Sequence, residues 1–160
     1  MSTADALPAR SRIVQEHLAA AGVETEVVVL PDSARTAPEA AGAVGCPVGA
    51  IANSLVLVAD GEPILAMTSG AHRVDFRVLA DAVGAASVAM APAALVREVT
   101  GQAIGGVAPV GHPRRLRTYL DEELRGYERI WAAGGTPHTV MPLTFAQLEA
   151  LTGGTVVRVA

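Results

Sequence analysis

All twelve cations in this 160-residue chain are arginine, because lysine is absent from it. Any positive charge in a site must therefore come from guanidinium groups or from histidine. Cysteine occurs once, at Cys46, which rules out an internal disulfide and fits a reducing compartment. With Pro47 after it and no His or Asn close by in sequence, Cys46 reads as a small buried apolar side chain rather than a nucleophile. Aromatic residues make up only 3% of the chain, so wide stacking platforms for several nucleic-acid bases are excluded and the core must be built from Ala, Val and Leu. No stretch approaches the roughly 18 apolar residues needed to span a bilayer, and the N-terminal MSTADALPARSR has no apolar segment of a signal peptide. A cytoplasmic location and no membrane partner are expected. HExxH, CxxC, GxSxG and GxxxxGK[ST] are missing, which removes the common metal, redox, hydrolase-elbow and nucleotide motifs, and no metal or cofactor is expected. The net charge of −4 argues against a broad phosphate-tracking surface, though a small site gripping one end of a nucleic acid is compatible with it.

What is present is an apolar fraction of 51%, enough for one compact domain over residues 1–160 with a sizeable core. Helical spacing of Ile13, Val14, Leu18 and Ala21 predicts a surface helix over 7–21, with Gly22 at its end. The β-branched run 24–30 predicts a first strand. Thr36 and Glu39, with Pro38 in the first turn, open a short helix that stops at Gly45. Residues 52–59 and 63–67 flank Asp60-Gly61, a strong hairpin signal. Asp75 caps a helix closed by Gly84, residues 86–90 predict a short strand, and Pro92 opens a helix that leads to Thr100. Alternation over 115–120 predicts a strand, Asp121 caps a short helix, and 138–141 is a further strand candidate. Thr144 with Gln147 forms a capping box for a helix to Leu151, and Gly153-Gly154 precedes a last strand over 155–159. Strands, hairpins and helices mixed in this order predict an α+β fold with a mixed or antiparallel sheet or barrel flanked by helices.

The least ordinary stretch is Thr100 to Gly111, TGQAIGGVAPVG, with four glycines and Pro109. It is neither helix nor strand: glycine reaches φ > 0 and permits close approach, while proline fixes φ and lacks a donor. Two readings stay open from composition alone. The run is a plain connector, or it is an ordered loop whose convergent N–H groups bind an oxyanion or phosphate. A dinucleotide turn is set aside because the run follows a helix rather than a strand. His72, His112 and His138 lie far apart beside glycine or proline and read as solvent-edge histidines. The cluster His112-Pro113-Arg114-Arg115-Leu116-Arg117 is a solvated strand face or a phosphate contact beside the loop.

The order Ala52-Asn53-Ser54-Leu55-Val56-Leu57, Asp60-Gly61, Thr100-Gly101, Gly105-Gly106-Val107-x-Pro109-x-Gly111 and Gly134-Gly135 resembles the YbaK/EbsC family, proteins similar to the editing domain of bacterial prolyl-tRNA synthetase. The resemblance covers roughly residues 10–158, and the glycine loop is its most specific motif. It implies a mixed, mostly antiparallel β-barrel of six or seven strands surrounded by helices. It also implies hydrolysis of misacylated tRNA, such as cysteinyl- or alanyl-tRNA of the proline type, with the tRNA 3′ acceptor end as partner and an aminoacyl-tRNA synthetase as a further one. On that resemblance the backbone of Gly105, Gly106 and Val107 would stabilise the tetrahedral oxyanion, with Asn53 as the fourth catalytic group. Ser54, Arg35, Arg73, Pro109, Gly111, His112 and Gly135 would hold the substrate. The family usually carries lysine in a K-[TS]-L run, and the matching position here is Asn53. Asparagine keeps a donor and an acceptor but lacks the ammonium charge. A catalytically silent binding module that keeps the pocket for an aminoacyl-adenosine-like ligand is the alternative.

Overall fold

The computed structural model describes residues 7–160. The first six residues of the N-terminal MSTADALPARSR considered above lie outside that range. Five helices are described: α1 (Ala9–Ala20), α2 (Ala37–Val44), α3 (Phe76–Val83), α4 (Ala93–Thr100) and α5 (Phe145–Thr152). Eight strands are described: β1 (Val28–Val29), β2 (Ile51–Ala59), β3 (Glu62–Ser69), β4 (Val88–Met90), β5 (Arg117–Asp121), β6 (Ile130–Ala133), β7 (Thr139–Leu143) and β8 (Thr155–Val157). Short 3₁₀ turns at Val48–Ala50 and Glu122–Gly126 precede β2 and follow β5. None of the described helices is long and apolar enough to cross a membrane.

Local chemistry sets most boundaries. The Thr36 hydroxyl accepts from the Glu39 N–H at the start of α2, and Gly45 closes that helix with φ of +73°. At α5 the capping box is complete: Thr144 Oγ1 accepts from the Gln147 N–H at 3.1 Å, and Gln147 Oε1 accepts from the Thr144 N–H at 2.9 Å. Asp60 and Gly61 both have positive φ, the pair a type I′ hairpin turn between β2 and β3 requires.

The long hairpin β2–β3 is the centre of the sheet, whose order is β1-β7-β6-β2-β3-β5-β8, with β4 paired to the far end of β2. Pairings β2–β6, β3–β5 and β5–β8 are parallel and the other four antiparallel. The α+β class and mixed sheet are as expected, but the sheet has eight strands and is not closed into a barrel. Its two end strands, β1 and β8, pair only with β7 and β5. The reason lies partly in residues 24–27, expected as strand. The Gln15 side chain of α1 donates to the Thr25 carbonyl at 3.0 Å and accepts from the Val27 N–H at 2.8 Å, and Thr25 Oγ1 donates to the Pro142 carbonyl at 2.6 Å. Side chains take the bonds that a longer ladder would need, leaving β1 two residues long. The expected strand 86–90 is shortened in the same way, since the Asp60 carboxylate accepts from the N–H groups of Ala86 and Ser87.

Both faces of the hairpin are covered. One carries the largest core, in which Val14 and Leu18 of α1 meet Val56, Met67, Leu120, Met141 and Leu148. The other packs Leu57, Ile64 and Ala66 under Leu79 and Ala80 of α3. Fully burying one such leucine contributes about 1.5–3 kcal/mol relative to leaving it in water. A third, smaller cluster seats Ala37, Ala40 and Ala41 of α2 on Ile51. This last contact brings α2 over the start of β2, beside the glycine loop.

Candidate active site

A cavity of about 420 Å³ opens between the entry to α2, the first half of β2, the glycine loop and β6. Its walls are mostly small: Ala34, Ala37, Ala52, Ala132, Gly70 and Gly105 among them, with Ile51, Leu55, Val107 and Trp131 adding apolar bulk. Among the described residues Asn53, Ser54, Thr36 and Arg35 supply its polar side chains, Arg35 is its only charged one, and no Asp, Glu or Cys borders it.

Asn53 is half-buried and its amide makes no hydrogen bond to a described residue. Ser54, which follows it on β2 and also borders the cavity, spends its hydroxyl on Met67 Sδ, to which it donates at 3.2 Å. Gly105 has φ of +91°, a region that favours glycine, and an added Cβ would also press on Arg35 Cβ and Cγ at 3.2 Å. The loop thus lies against the arginine that borders the cavity.

The backbone donors of the loop alternate between spent and free. The N–H of Gly106 donates to the Ala103 carbonyl at 3.0 Å, and that of Ala108 to Gln102 Oε1 at 2.8 Å. Gly105 and Val107 border the cavity, and neither N–H has a partner among the described residues. Gly106 is needed for another reason. A side chain there would strike Pro137 N at 2.7 Å and the Thr136 backbone, so the loop is seated directly on residues 136–137.

The loop is held from within by two side chains that composition did not single out. Thr100 Oγ1 donates to the Val96 and Gln102 carbonyls and accepts from the Gln102 N–H. Gln102, only 2% exposed, accepts from Ala108 through Oε1 and donates to the Val110 carbonyl at 3.3 Å through Nε2. A lone glutamine inside a glycine and alanine run was the available signal.

Other expected site residues lie elsewhere. Arg73 is exposed in the turn between β3 and α3 and does not border the cavity. Pro109, Gly111 and His112 border a different hollow, next along the loop. Gly135 packs against α1, where an added Cβ would meet the Arg10 carbonyl at 3.3 Å. Two of the supposed solvent-edge histidines are engaged. His112 Nε2 is 2.8 Å from the Ala108 carbonyl, and burial holds its imidazole below the usual histidine range, with the positive charge of His17 acting in the same direction. His72 Nδ1 is 2.8 Å from Oδ2 of Asp121, a fully buried carboxylate that also accepts from the N–H groups of Ser69 and Glu123. That cluster anchors the turn carrying Gly70, one wall of the cavity. His138 is exposed, as expected. Cys46 packs against the small cluster of Ala37, Ala40, Ala41 and Ile51, and burial raises its thiol pKa.

Residues 31–151 match the sequence profile of the aminoacyl-tRNA editing domain. The chain belongs to the YbaK/EbsC family of editing domains. Every residue bordering the cavity falls inside the matched span, whereas α1 and β8 lie outside it. A crystal structure described as a trans-editing enzyme for prolyl-tRNA synthetase superposes with a TM-score of 0.90 at 46% identity, over 96% of this chain and 98% of that one. A family member of Enterococcus faecalis, EbsC, which carries the name of a Cys-tRNA(Pro)/Cys-tRNA(Cys) deacylase, is 29% identical over 73% of this chain and 77% of its own length. The proline–tRNA ligase of Nitratidesulfovibrio vulgaris is 33% identical over 63% of this chain, and the match spans only 17% of that synthetase.

Proposed function

We propose that this protein hydrolyses the aminoacyl ester of a misacylated tRNA in the cytoplasm, taking the 3′-terminal aminoacyl-adenosine into the cavity between α2, β2 and the glycine loop. The observation that carries this reading is the pair of unspent N–H groups at Gly105 and Val107, bordering the same small-walled cavity as the unpaired amide of Asn53. Water adds to the ester carbonyl carbon, and the carbonyl oxygen becomes an oxyanion that the two N–H groups stabilise. The C–O bond to the ribose then breaks, the ribose oxygen takes the proton lost by water, and free amino acid and tRNA leave. One donor of this kind is worth about 10²–10³ in rate. Asn53 Oδ1 accepts from the attacking water or its Nδ2 donates to the ribose, while Arg35 at the rim meets the terminal phosphate. A cavity without a carboxylate, walled by alanine and glycine, suits a small uncharged aminoacyl group, which includes the cysteinyl and alanyl esters of proline-type tRNA.

The test is a panel of cysteinyl-, alanyl- and seryl-tRNA species incubated with the protein and with Asn53→Ala and Asn53→Lys. Hydrolysis above the buffer rate is expected for at least one species. It should fall about 10- to 100-fold in Asn53→Ala, the loss of one strong hydrogen bond. It should hold or rise in Asn53→Lys. The bare amide where the family carries lysine favours one competing reading, a silent binding module. No hydrolysis by any of the three proteins, with aminoacyl-adenosine binding retained, would establish that reading instead.

A further inference from the structure

The proposed reaction uses neither the arginine-rich stretch after the glycine loop nor the first helix. The two meet at a pair of adjoining hollows of about 340 and 240 Å³, which share His17, Gly111 and His112. Every charged side chain bordering them is basic. Arg10 and His17 come from α1, His112 from the loop and Arg115 from the approach to β5; among the described residues no Asp or Glu borders either hollow. This concentration stands out in a chain of net charge −4. Arg115 is fixed in place by one bond, Nη2 to the Thr152 carbonyl at 2.7 Å, and makes no other bond to a described residue. His112 resists protonation because it is buried, so the standing positive charge of the hollows is that of the Arg10 and Arg115 guanidinium groups, with no carboxylate facing them among the described residues.

We propose that the paired hollow is a phosphate-binding track for the RNA strand whose 3′ end enters the active-site cavity. This rests on the editing reading for the identity of the RNA, but its chemistry is independent of catalysis. Val107 borders the cavity and Gly111 the track, and four residues of chain span at most about 14 Å, so both sites lie along one short stretch of nucleic acid. Phosphodiester oxygens meet guanidinium forks bidentately, and two arginines with imidazole N–H donors beside them hold a short stretch of backbone without requiring a basic protein overall. A free phosphorylated small molecule presents the same chemistry, so the test separates the two.

The test measures fluorescence anisotropy of a deacylated acceptor-stem RNA hairpin ending in CCA, titrated with the full chain between 50 and 200 mM salt. The proteins compared are the unaltered one, the double variant Arg10→Gln/His17→Gln, and Arg77→Gln on α3, which removes one guanidinium group from a different helix. Arg10 and His17 are exposed and make no side-chain hydrogen bond to a described residue, so the double variant is expected to fold, which circular dichroism checks. It should bind the RNA about 10-fold more weakly, with the salt slope reduced by about 1, while Arg77→Gln leaves both unchanged. In hydrolysis of aminoacyl-tRNA the same double variant should raise KM rather than lower kcat. An unchanged RNA affinity and salt slope in the double variant would overturn the proposal. So would inorganic pyrophosphate binding that depends on Arg10 and His17 while RNA binding does not. Because the RNA carries no ester, the binding result stands whether or not any hydrolysis is seen.

Discussion

His112 is the residue whose protonation the fold resists, through burial first and the facing charge of His17 second. Its folded pKa lies below the 6.5 of the unfolded chain. Below pH 6.5 the unfolded state therefore takes up a proton more readily than the folded one, so stability falls as the pH drops through this window and is unaffected above it. Thermal unfolding followed from pH 8 to pH 5 should show the midpoint declining below pH 6.5. In His112→Gln the decline should be shallower; parallel curves for the two proteins would exclude His112 as the source. Asn53 is a contrasting case, because no ionisation is involved. Its amide offers the cavity an NH2 donor group and a carbonyl acceptor at every pH, whereas a lysine there would bring a charge into a space bordered by no carboxylate among the described residues. The candidate site was legible in the sequence only up to this kind of statement about residue type. Asn53, Arg35, Gly105 and Val107 do border one cavity, but Pro109, Gly111 and His112 border another, and Arg73 and Gly135 neither. Which loop N–H groups remain free depends on how the loop closes on itself, and residue spacing does not encode that.

At the scale of the element, the glycine loop owes its shape to Gln102 more than to its glycines. Its side chain satisfies the Ala108 N–H and the Val110 carbonyl from a position 2% exposed, so Gln102→Leu would leave both groups buried without partners. Each costs about 1–3 kcal/mol. The variant should unfold at lower denaturant with an unchanged m-value, and ester hydrolysis should fall by more than the loss of folded protein accounts for, since Val107 directly precedes the Ala108 N–H that is released. A variant as stable as the parent would show that the strut carries no load. Helix ends were legible here because they are written locally: Thr36, Asp75 and Thr144 each cap the helix expected of them. Strand ends were less so. Residues 24–27 have the β-branched density of a strand, yet Gln15 and Pro142 take their hydrogen bonds, and neither is near them in sequence. Strand β6, four residues long and directly followed by Gly134-Gly135, is too short for an alternation pattern to announce it.

Across the whole molecule, the parallel pairings are what the sequence does not announce. β3 reaches β5 only after two helices, a short strand and the glycine loop, and β2 pairs with β6 more than seventy residues downstream; no local signal specifies either register. They have a thermodynamic consequence. The largest core draws on both ends of the chain and on the loop between them, joining Leu18 of α1, Met67 of β3, Val107, Ile130 of β6, Met141 of β7 and Leu148 of α5. We infer that residues 7–160 form one folding unit, because α1, β3, the glycine loop, β6, β7 and α5 all contribute to that cluster. Calorimetry should then give one transition, with the van't Hoff enthalpy equal to the calorimetric one, about 110 kcal/mol near 60 °C at the usual value per residue. The buried Asp121 carboxylate makes a second check on the same point. It ties the end of β3 to the end of β5 through the Ser69 N–H and His72. Asp121→Asn should lower the single midpoint without splitting it, since both strands belong to the shared unit. Two resolved transitions, in either protein, would mean that the parallel half of the sheet and the α2 side around the cavity melt independently.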